Sequence, residues 1–201
     1  MNVVWRKEWI KPDESLWSIL EKFAYVSCVE RRDMLKMLGS NEVKKIKNTM
    51  IGDKRRELFQ LSGFDSEQLN SLLGTHLYDH NKSIINVLIK PLHYYRKPDR
   101  TWFYVSLRWC PTCLDSGFHS WLHQFILVTC CPYHGSLLLD KCPCCNEGIP
   151  FLFSDKKLSD PFMCKCGYSL SDVYKTRWLK WNTNITVLFI SYTMVWGGRE
   201  G

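Results

Sequence analysis

Seven cysteines and one histidine occur as four closely spaced pairs in the second half of this chain. In each pair only one or two residues separate the two side chains, so a tight turn can direct both toward one ion. Thiolate and imidazole are ligands that tetrahedral zinc prefers, and a closed structural site needs four of them. Taken in chain order, the pairs predict two zinc ions. The first would be bound by Cys110, Cys113, Cys131 and His134, and the second by Cys142, Cys145, Cys164 and Cys166.

The spacing between the pairs also fits zinc. Seventeen residues separate Cys113 from Cys131 and 18 separate Cys145 from Cys164, which is close to the spacing of zinc sites built from two such pairs. A disulfide framework is the competing interpretation. The first residues, 1–8, contain no apolar run of signal-peptide length, so nothing directs the chain to an oxidising compartment. We therefore expect zinc rather than disulfides, and a cytoplasmic protein.

Three cysteines remain outside the four pairs. Cys130 and Cys144 each adjoin a proposed ligand and could replace it. We favour Cys131 and Cys145 because they repeat the two-residue spacing of the other pairs. Cys28 ends a helical pattern and is expected to be an ordinary buried thiol.

Further histidines could compete as ligands. His119 and His123 are four residues apart and are rivals of His134, but neither belongs to a close pair, so we rank them below it. His76 and His80 also have the spacing of one helix face and could hold a metal. Without a third ligand nearby, we expect them to be ordinary surface or packing histidines.

Composition limits the function classes. The chain has 201 residues, a formal charge of +7 and an aromatic content of 14%, which favour a packed protein with an acidic partner such as nucleic acid. The most apolar run, 185–196, is too short to cross a bilayer, so no membrane association is expected. The sequence has no phosphate-binding loop of the Gly-x-x-x-x-Gly-Lys-Ser/Thr type and no nucleophile with a paired base, so we do not expect an enzyme.

Six basic side chains are grouped between residues 41 and 56. Lys and Arg grouped in this way supply sequence-independent affinity for a phosphate backbone, whereas the competing interpretation is a solvated surface. The predicted nucleic-acid contacts are Lys44, Lys45, Lys47, Lys54, Arg55 and Arg56.

Helical patterns dominate the first 100 residues. Apolar residues from Leu16 to Ala24 recur at the spacing of one helix face, and Asp13 or Ser15 can cap that helix. A second helix is predicted over Arg31 to Leu38, with Gly39 as its stop.

A helix-turn-helix-like pair is predicted next. Arg55 to Leu61 would form a helix that ends at Gly63, and Asp65 would cap the following helix with Gln68 as its capping-box partner. Such a pair is sometimes a DNA reader and is also a common corner of a helical domain.

These elements predict a mainly α fold with small zinc-bound α+β lobes. A helical N-terminal domain with a helix-turn-helix-like pair would span residues 1–100, ending in a polar linker at 96–100. Two zinc-finger or zinc-ribbon-like motifs would follow in residues 101–175, with an aromatic strand over Thr101 to Trp109 leading into the first, and a tail in 176–201.

Several segments resemble the TniQ family, the target-selection subunits of Tn7-like bacterial transposons. The opening Pro12 to Trp17 looks like the first helix of that family, and Leu61 to Leu69 is similar to its mid-domain segment. The most specific similarity lies in Arg108 to Leu114, Trp121, Cys131 to Leu138 and Cys142 to Cys145, and the closing Cys164 to Gly167 also fits. In the family, the Cys-Pro-x-His-Gly element supplies the third and fourth ligands of the first zinc, which supports Cys131 over Cys130.

The resemblance implies an adaptor, and two metal sites closed by four protein ligands leave no open position for catalysis. Short family members work with CRISPR effectors and an AAA+ ATPase, TnsC. The expected partners are therefore TnsC on DNA, the transposase, DNA itself and an RNA-guided effector with its guide RNA. The alternative is a free-standing zinc-dependent DNA-binding regulator, which would bind a specific duplex alone with a steep salt dependence.

Overall fold

The computed structural model describes residues 4–41, 58–152, 160–171 and 181. Within these ranges the β-structure consists of isolated bridges, and no helix is long and apolar enough to cross a membrane. The α-helices are α1 (Leu16–Ser27), α2 (Arg31–Leu38), α3 (Ser66–Leu73), α4 (Leu77–Ile89), α5 (Pro111–Asp115) and α6 (Trp121–Gln124), and 3₁₀ helices cover Lys7–Trp9, Lys90–Tyr95 and Asp99–Trp102. The predicted fold class is confirmed, since the chain is mainly helical and has two Cys/His clusters that could bind zinc.

Helix α1 lies at the centre of the packing and is enclosed on more than one side. Its apolar face is fully buried, and so are the polar Glu21 and Lys22. Ser15 occupies the predicted N-cap position, but its hydroxyl lies 2.7 Å from His119 Nδ1 and does not cap the helix. The first turn of α1 is therefore joined to the cysteine-rich half of the chain.

Two buried ion pairs hold α1 in place. Lys22 Nζ lies 2.8 Å from a carboxylate oxygen of Glu14, and Arg31 pairs with Glu21. Burial lowers the pKa of Lys22, although the Glu14 carboxylate opposes the shift. The Glu21 carboxylate also accepts the backbone N–H of Phe162 at 2.7 Å. Because a buried charge is costly without a partner, these pairs fix how α1 meets α2 and residues 160–171.

Helices α3 and α4 follow one another across a short turn at residues 74–76. Asp65 caps α3 as predicted. Its Oδ1 accepts hydrogen bonds from the backbone N–H groups of Glu67 and Gln68, each with an N···O distance of 3.1 Å. At the other end, Asn70 Oδ1 accepts the first N–H of α4, from Leu77.

The helix predicted over 55–61 is wrong in its described part, residues 58–61; residues 55–57 lie outside the described ranges. The Asn81 side chain donates to the carbonyls of Leu58 and Phe59, at 3.2 and 2.7 Å. Leu61 has a left-handed φ of 57°, which ends any helical continuation. This stretch closes against α4, so the predicted helix pair does not form around residues 62–64.

The strand predicted over Thr101 to Trp109 is also wrong. Its first two residues belong to a 3₁₀ helix. Residues 103, 106 and 109 then make single antiparallel bridges to Phe125, Pro150 and Leu139. Each bridge joins a different segment, so no ladder can extend along one partner.

The largest apolar core contains residues from both sides of the predicted boundary at residue 100. Leu16 and Phe23 of α1 belong to the same buried cluster as Trp109, Phe162 and Trp181. Trp181 packs against Trp9 with ring centroids 5.3 Å apart. The division into domains stays a prediction, but the core joins the two halves.

Candidate metal centres

The first cluster brings together the four side chains predicted as one site: Cys110, Cys113, Cys131 and His134. Cys113 Sγ lies 3.5 Å from Cys131 Sγ and 3.2 Å from His134 Nδ1. Cys110 Sγ lies 3.5 Å from the same nitrogen. All four ligand atoms are within 4.8 Å of one another; the cysteines are buried and the histidine is exposed.

Local turns place these side chains. Cys110 precedes α5, whose first residue is Pro111, and Cys113 lies one turn into that helix. Gly135 donates its N–H to the Cys131 carbonyl at 2.8 Å and has a left-handed φ of 68°. Glycine adopts this conformation without steric cost, which explains a glycine directly after the histidine.

His123 lies against the first cluster without being one of its four members. Its Nε2 is 3.5 Å from Cys131 Sγ and 3.8 Å from Cys113 Sγ. Its Nδ1 accepts the backbone N–H of Ser120 in a capping box at the start of α6. Burial lowers the pKa of His123, so the ring is neutral and its one proton lies on Nε2, directed at the sulfurs. The sequence suggested His123 only as a rival ligand, although its spacing from Ser120, which is that of a capping box, could have indicated this donor role.

His119 has a structural role instead. Its Nδ1 accepts a hydrogen bond from the Ser15 hydroxyl, and its Nε2 lies 2.8 Å from the Arg108 carbonyl oxygen. Burial lowers the pKa of His119 to about 4. The neutral ring therefore joins α1 to the segment that leads into the first cluster.

The spare cysteines lie outside both clusters. Cys130 and Cys144 are exposed, whereas their neighbours Cys131 and Cys145 belong to the clusters. The geometry therefore favours Cys131 and Cys145 as ligands, as the pair spacing also does. Cys28 is exposed, so the prediction of a buried thiol is wrong. It is the C-cap residue of α1 and has a left-handed φ of 49°.

The second cluster repeats the arrangement with cysteines alone: Cys142, Cys145, Cys164 and Cys166. Cys142 Sγ is 3.7 Å from Cys166 Sγ, and Cys145 Sγ is 3.7 Å from Cys164 Sγ. The backbone of Gly167 closes the last turn, donating to the Cys164 carbonyl at 2.9 Å with a φ of 85°.

These distances suit zinc and exclude disulfides. Zinc–sulfur bonds of about 2.3 Å in a tetrahedron place two sulfurs about 3.8 Å apart. The sulfur–sulfur distances of 3.5 and 3.7 Å are near that value, whereas a disulfide needs about 2.05 Å. Each donor set is complete with four protein ligands, the pattern of a structural site.

Thiols packed this closely cannot all ionise without a cation. Hydrogen bonding with Cys113 lowers the pKa of Cys110, and the same contact raises the pKa of Cys113. In the second cluster, burial raises the pKa of Cys142, but hydrogen bonds from the backbone of Cys145 and Cys144 and with the thiols of Cys164 and Cys166 together outweigh it and bring the value to about 7. Zinc would supply the positive charge that lets every ligand lose its proton.

The remaining predicted site residues fall elsewhere. The basic group Lys44, Lys45, Lys47, Lys54, Arg55 and Arg56 lies outside the described residues. His76 Nδ1 lies 3.3 Å from the Asn70 amide, and His80 Nε2 lies 3.2 Å from the Glu14 carbonyl. Neither belongs to a metal-ligand group among the described residues.

A comparison with known protein families shows to which family this chain belongs. A model of the TniQ family matches residues 9–138, about two thirds of the chain. The chain belongs to the TniQ family. Membership gives this TniQ protein a role in target selection for Tn7-like transposition, and members of the family are adaptors without enzymatic activity. The match includes α1 and the whole first cluster and ends before the second. A comparison with curated proteins finds no match.

Proposed function

We propose that this TniQ protein links a target-recognition complex to the transposition machinery. It contacts the AAA+ ATPase TnsC on DNA on one side and an RNA-guided CRISPR effector with its guide RNA on the other. Through TnsC it directs the transposase. The family match over residues 9–138 is the observation that supports this proposal.

The packing around α1 suits such an adaptor. Ser15 meets His119 near the first cluster, and Glu21 meets Phe162 near the second, so one helix contacts both cysteine-rich lobes. Two partners bound to different lobes would then be held at a fixed distance and orientation.

Both clusters bind structural zinc in this proposal. Four protein ligands leave no open position for a water molecule, so the metal would hold the fold rather than catalyse hydrolysis. Zinc would contribute much of the folding free energy of these small lobes. The basic side chains of 44–56 would contact nucleic-acid phosphates.

A tagged purification from native cells tests the adaptor role. We expect an AAA+ ATPase to remain bound after nuclease treatment, together with an RNA-guided complex. Cys131→Ser should lose the partners together with one zinc ion. Cys130→Ser, at the exposed neighbouring cysteine, is the matched control and should keep both. If no ATPase remains bound to the wild-type protein, the adaptor role is wrong.

The free-standing DNA-binding regulator remains the second candidate because the chain carries a net charge of +7. It predicts that DNA alone is recovered and that nuclease removes it. Binding to one duplex sequence should then weaken steeply as salt is raised.

A further inference from the structure

Aromatic side chains line a cavity of about 200 Å³ beside the 3₁₀ helix Asp99–Trp102. Arg100 and Tyr104 also line it, and because both are exposed they lie at its opening. The cavity is smaller than the roughly 300 Å³ at which sites for drug-sized ligands begin. It therefore suits one planar ring system. The aromatic rings in its wall are Phe59, Phe103, Trp121 and Phe151.

Trp121 supplies an unused hydrogen-bond donor. The residue is 1% exposed, and its Nε1 has no hydrogen-bond partner in the described part of the chain. Phe103 and Phe59 pack edge-on to it, with ring centroids 5.4 and 5.9 Å away. Buried polar groups are nearly always paired, so the unpaired indole N–H of this cavity-lining residue is an exception.

The segment of residues 90–100, which contributes Arg100 to the cavity, is basic. Lys90, Arg96, Lys97 and Arg100 are all exposed, and none makes an ion pair within the described residues. The only acidic residue between positions 90 and 108 is Asp99. The charge therefore favours an anionic partner.

Exposed tyrosines accompany these cations. Tyr94 is 89% exposed and Tyr104 is 43% exposed. The Arg108 guanidinium lies 4.3 Å from the centre of the Tyr104 ring and is itself held by the Val128 carbonyl at 2.9 Å. A ring fixed in this way loses little conformational entropy when a second flat group stacks on it.

We propose that this cavity binds one unstacked nucleobase of a single-stranded nucleic acid, while the cations of residues 90–100 contact the flanking phosphates. Aromatic platforms among basic side chains are the means by which proteins bind single strands. A base also has acceptor atoms for the Trp121 N–H. An acidic peptide would pair with the cations but would not fill the aromatic cavity. In a duplex the bases are stacked on one another and cannot enter the cavity. The inference rests on the nucleic-acid contact within the proposed function, and not on the link to TnsC.

Fluorescence anisotropy with the full-length, zinc-loaded protein tests this site. The probes are a labelled 12-nucleotide oligo(U), an oligo(dT) of equal length, a duplex, and an oligo(U)-length ribose-phosphate strand without bases. We compare Arg100→Ala/Tyr104→Ala with Lys82→Ala/Tyr78→Ala. The second pair is a matched control, because Tyr78 is 47% exposed and Lys82 lies over its ring.

The variant at the cavity should lose at least about fivefold in affinity for the single strands, as expected for one lost stacked base. Its affinity for the baseless strand should fall less, and the control should bind like wild type. Trp121→Phe, which removes the N–H but keeps a ring, should weaken base-containing strands alone, provided zinc content and melting temperature are unchanged. The oligo(U) and oligo(dT) arms show whether RNA or DNA is preferred.

Equal affinities of the cavity and control variants for single strands would overturn the inference. An equal loss with the baseless strand would overturn it too, since only phosphates would then be bound. If Arg100→Ala/Tyr104→Ala instead loses a nuclease-resistant protein partner with its oligonucleotide affinity intact, the surface binds protein. The adaptor role is tested separately by ATPase recovery with the wild-type protein.

Discussion

The two cysteine clusters share one plan but differ in their surroundings. The first has three buried cysteines and its own apolar shell, with Phe118 and Tyr133 packed around them. Each cluster has one exposed member, His134 in the first and Cys166 in the second, but Cys142 and Cys164 of the second belong to the main core with α1. The first is thus packed within an apolar shell of its own, whereas the second is packed against the helical half of the chain. The family match covers only the first.

The largest effect should follow from removing a buried ligand of the first cluster. Cys131→Ser should unfold the lobe, because structural zinc contributes about 10–16 kcal/mol of apparent binding free energy in small zinc domains. Zinc per chain and the melting temperature would measure this, with Cys130→Ser as the unaffected control. Retention of two zinc ions in Cys131→Ser would contradict the ligand assignment.

A smaller effect is expected at the exposed side of the second cluster. Cys166→Ser should release one zinc ion while the first cluster keeps its own, because no ligand is shared between them. Hydrogen exchange should show α1 still protected and residues 160–171 opened. Cys144→Ser, at an exposed cysteine outside the cluster, should change neither. Loss of both ions from Cys166→Ser would show that the clusters are not independent.

The contact between the second lobe and α1 can be weakened without touching a ligand. Glu21→Gln removes the charge that pairs with Arg31, and breaking a buried ion pair costs about 3–5 kcal/mol. Urea unfolding should show a loss of that size. Asp33→Asn in the exposed pair with Lys36 should cost less than about 1 kcal/mol. Similar losses in the two variants would mean that the buried pair does not hold the lobe.

The smallest effect is expected from a variant that changes zinc affinity at the first cluster alone. His123→Phe removes the N–H directed at the sulfurs of the first cluster, and groups that support metal ligands in this way typically change metal affinity 10- to 100-fold. Chelator competition should show weaker zinc binding at the first cluster and no change at the second. If the second cluster releases zinc faster instead, His123 affects metal binding by stabilising the whole protein and not by its contact with the first cluster.

Part of this picture could be predicted from local pattern. The helices over residues 16–27 and 31–38 follow from apolar spacing and a glycine stop, and Asp65 caps α3 as its side-chain chemistry indicates. The strand over 101–109 could not be excluded, because aromatic residues favour a strand until the partners are known. Those partners are three separate segments, so only single bridges form.

The sequence by itself determined which cysteines and which histidine could share an ion. Pair spacing and turn glycines are properties of a few consecutive residues, so they act before any tertiary contact forms. Only the tertiary structure decided what surrounds those groups. The hydrogen bond from Phe162 to Glu21 spans 141 positions and that between Ser15 and His119 spans 104. The cavity at Trp121 likewise joins residues from separate segments. Such contacts depend on how whole elements pack, and no local spacing encodes them.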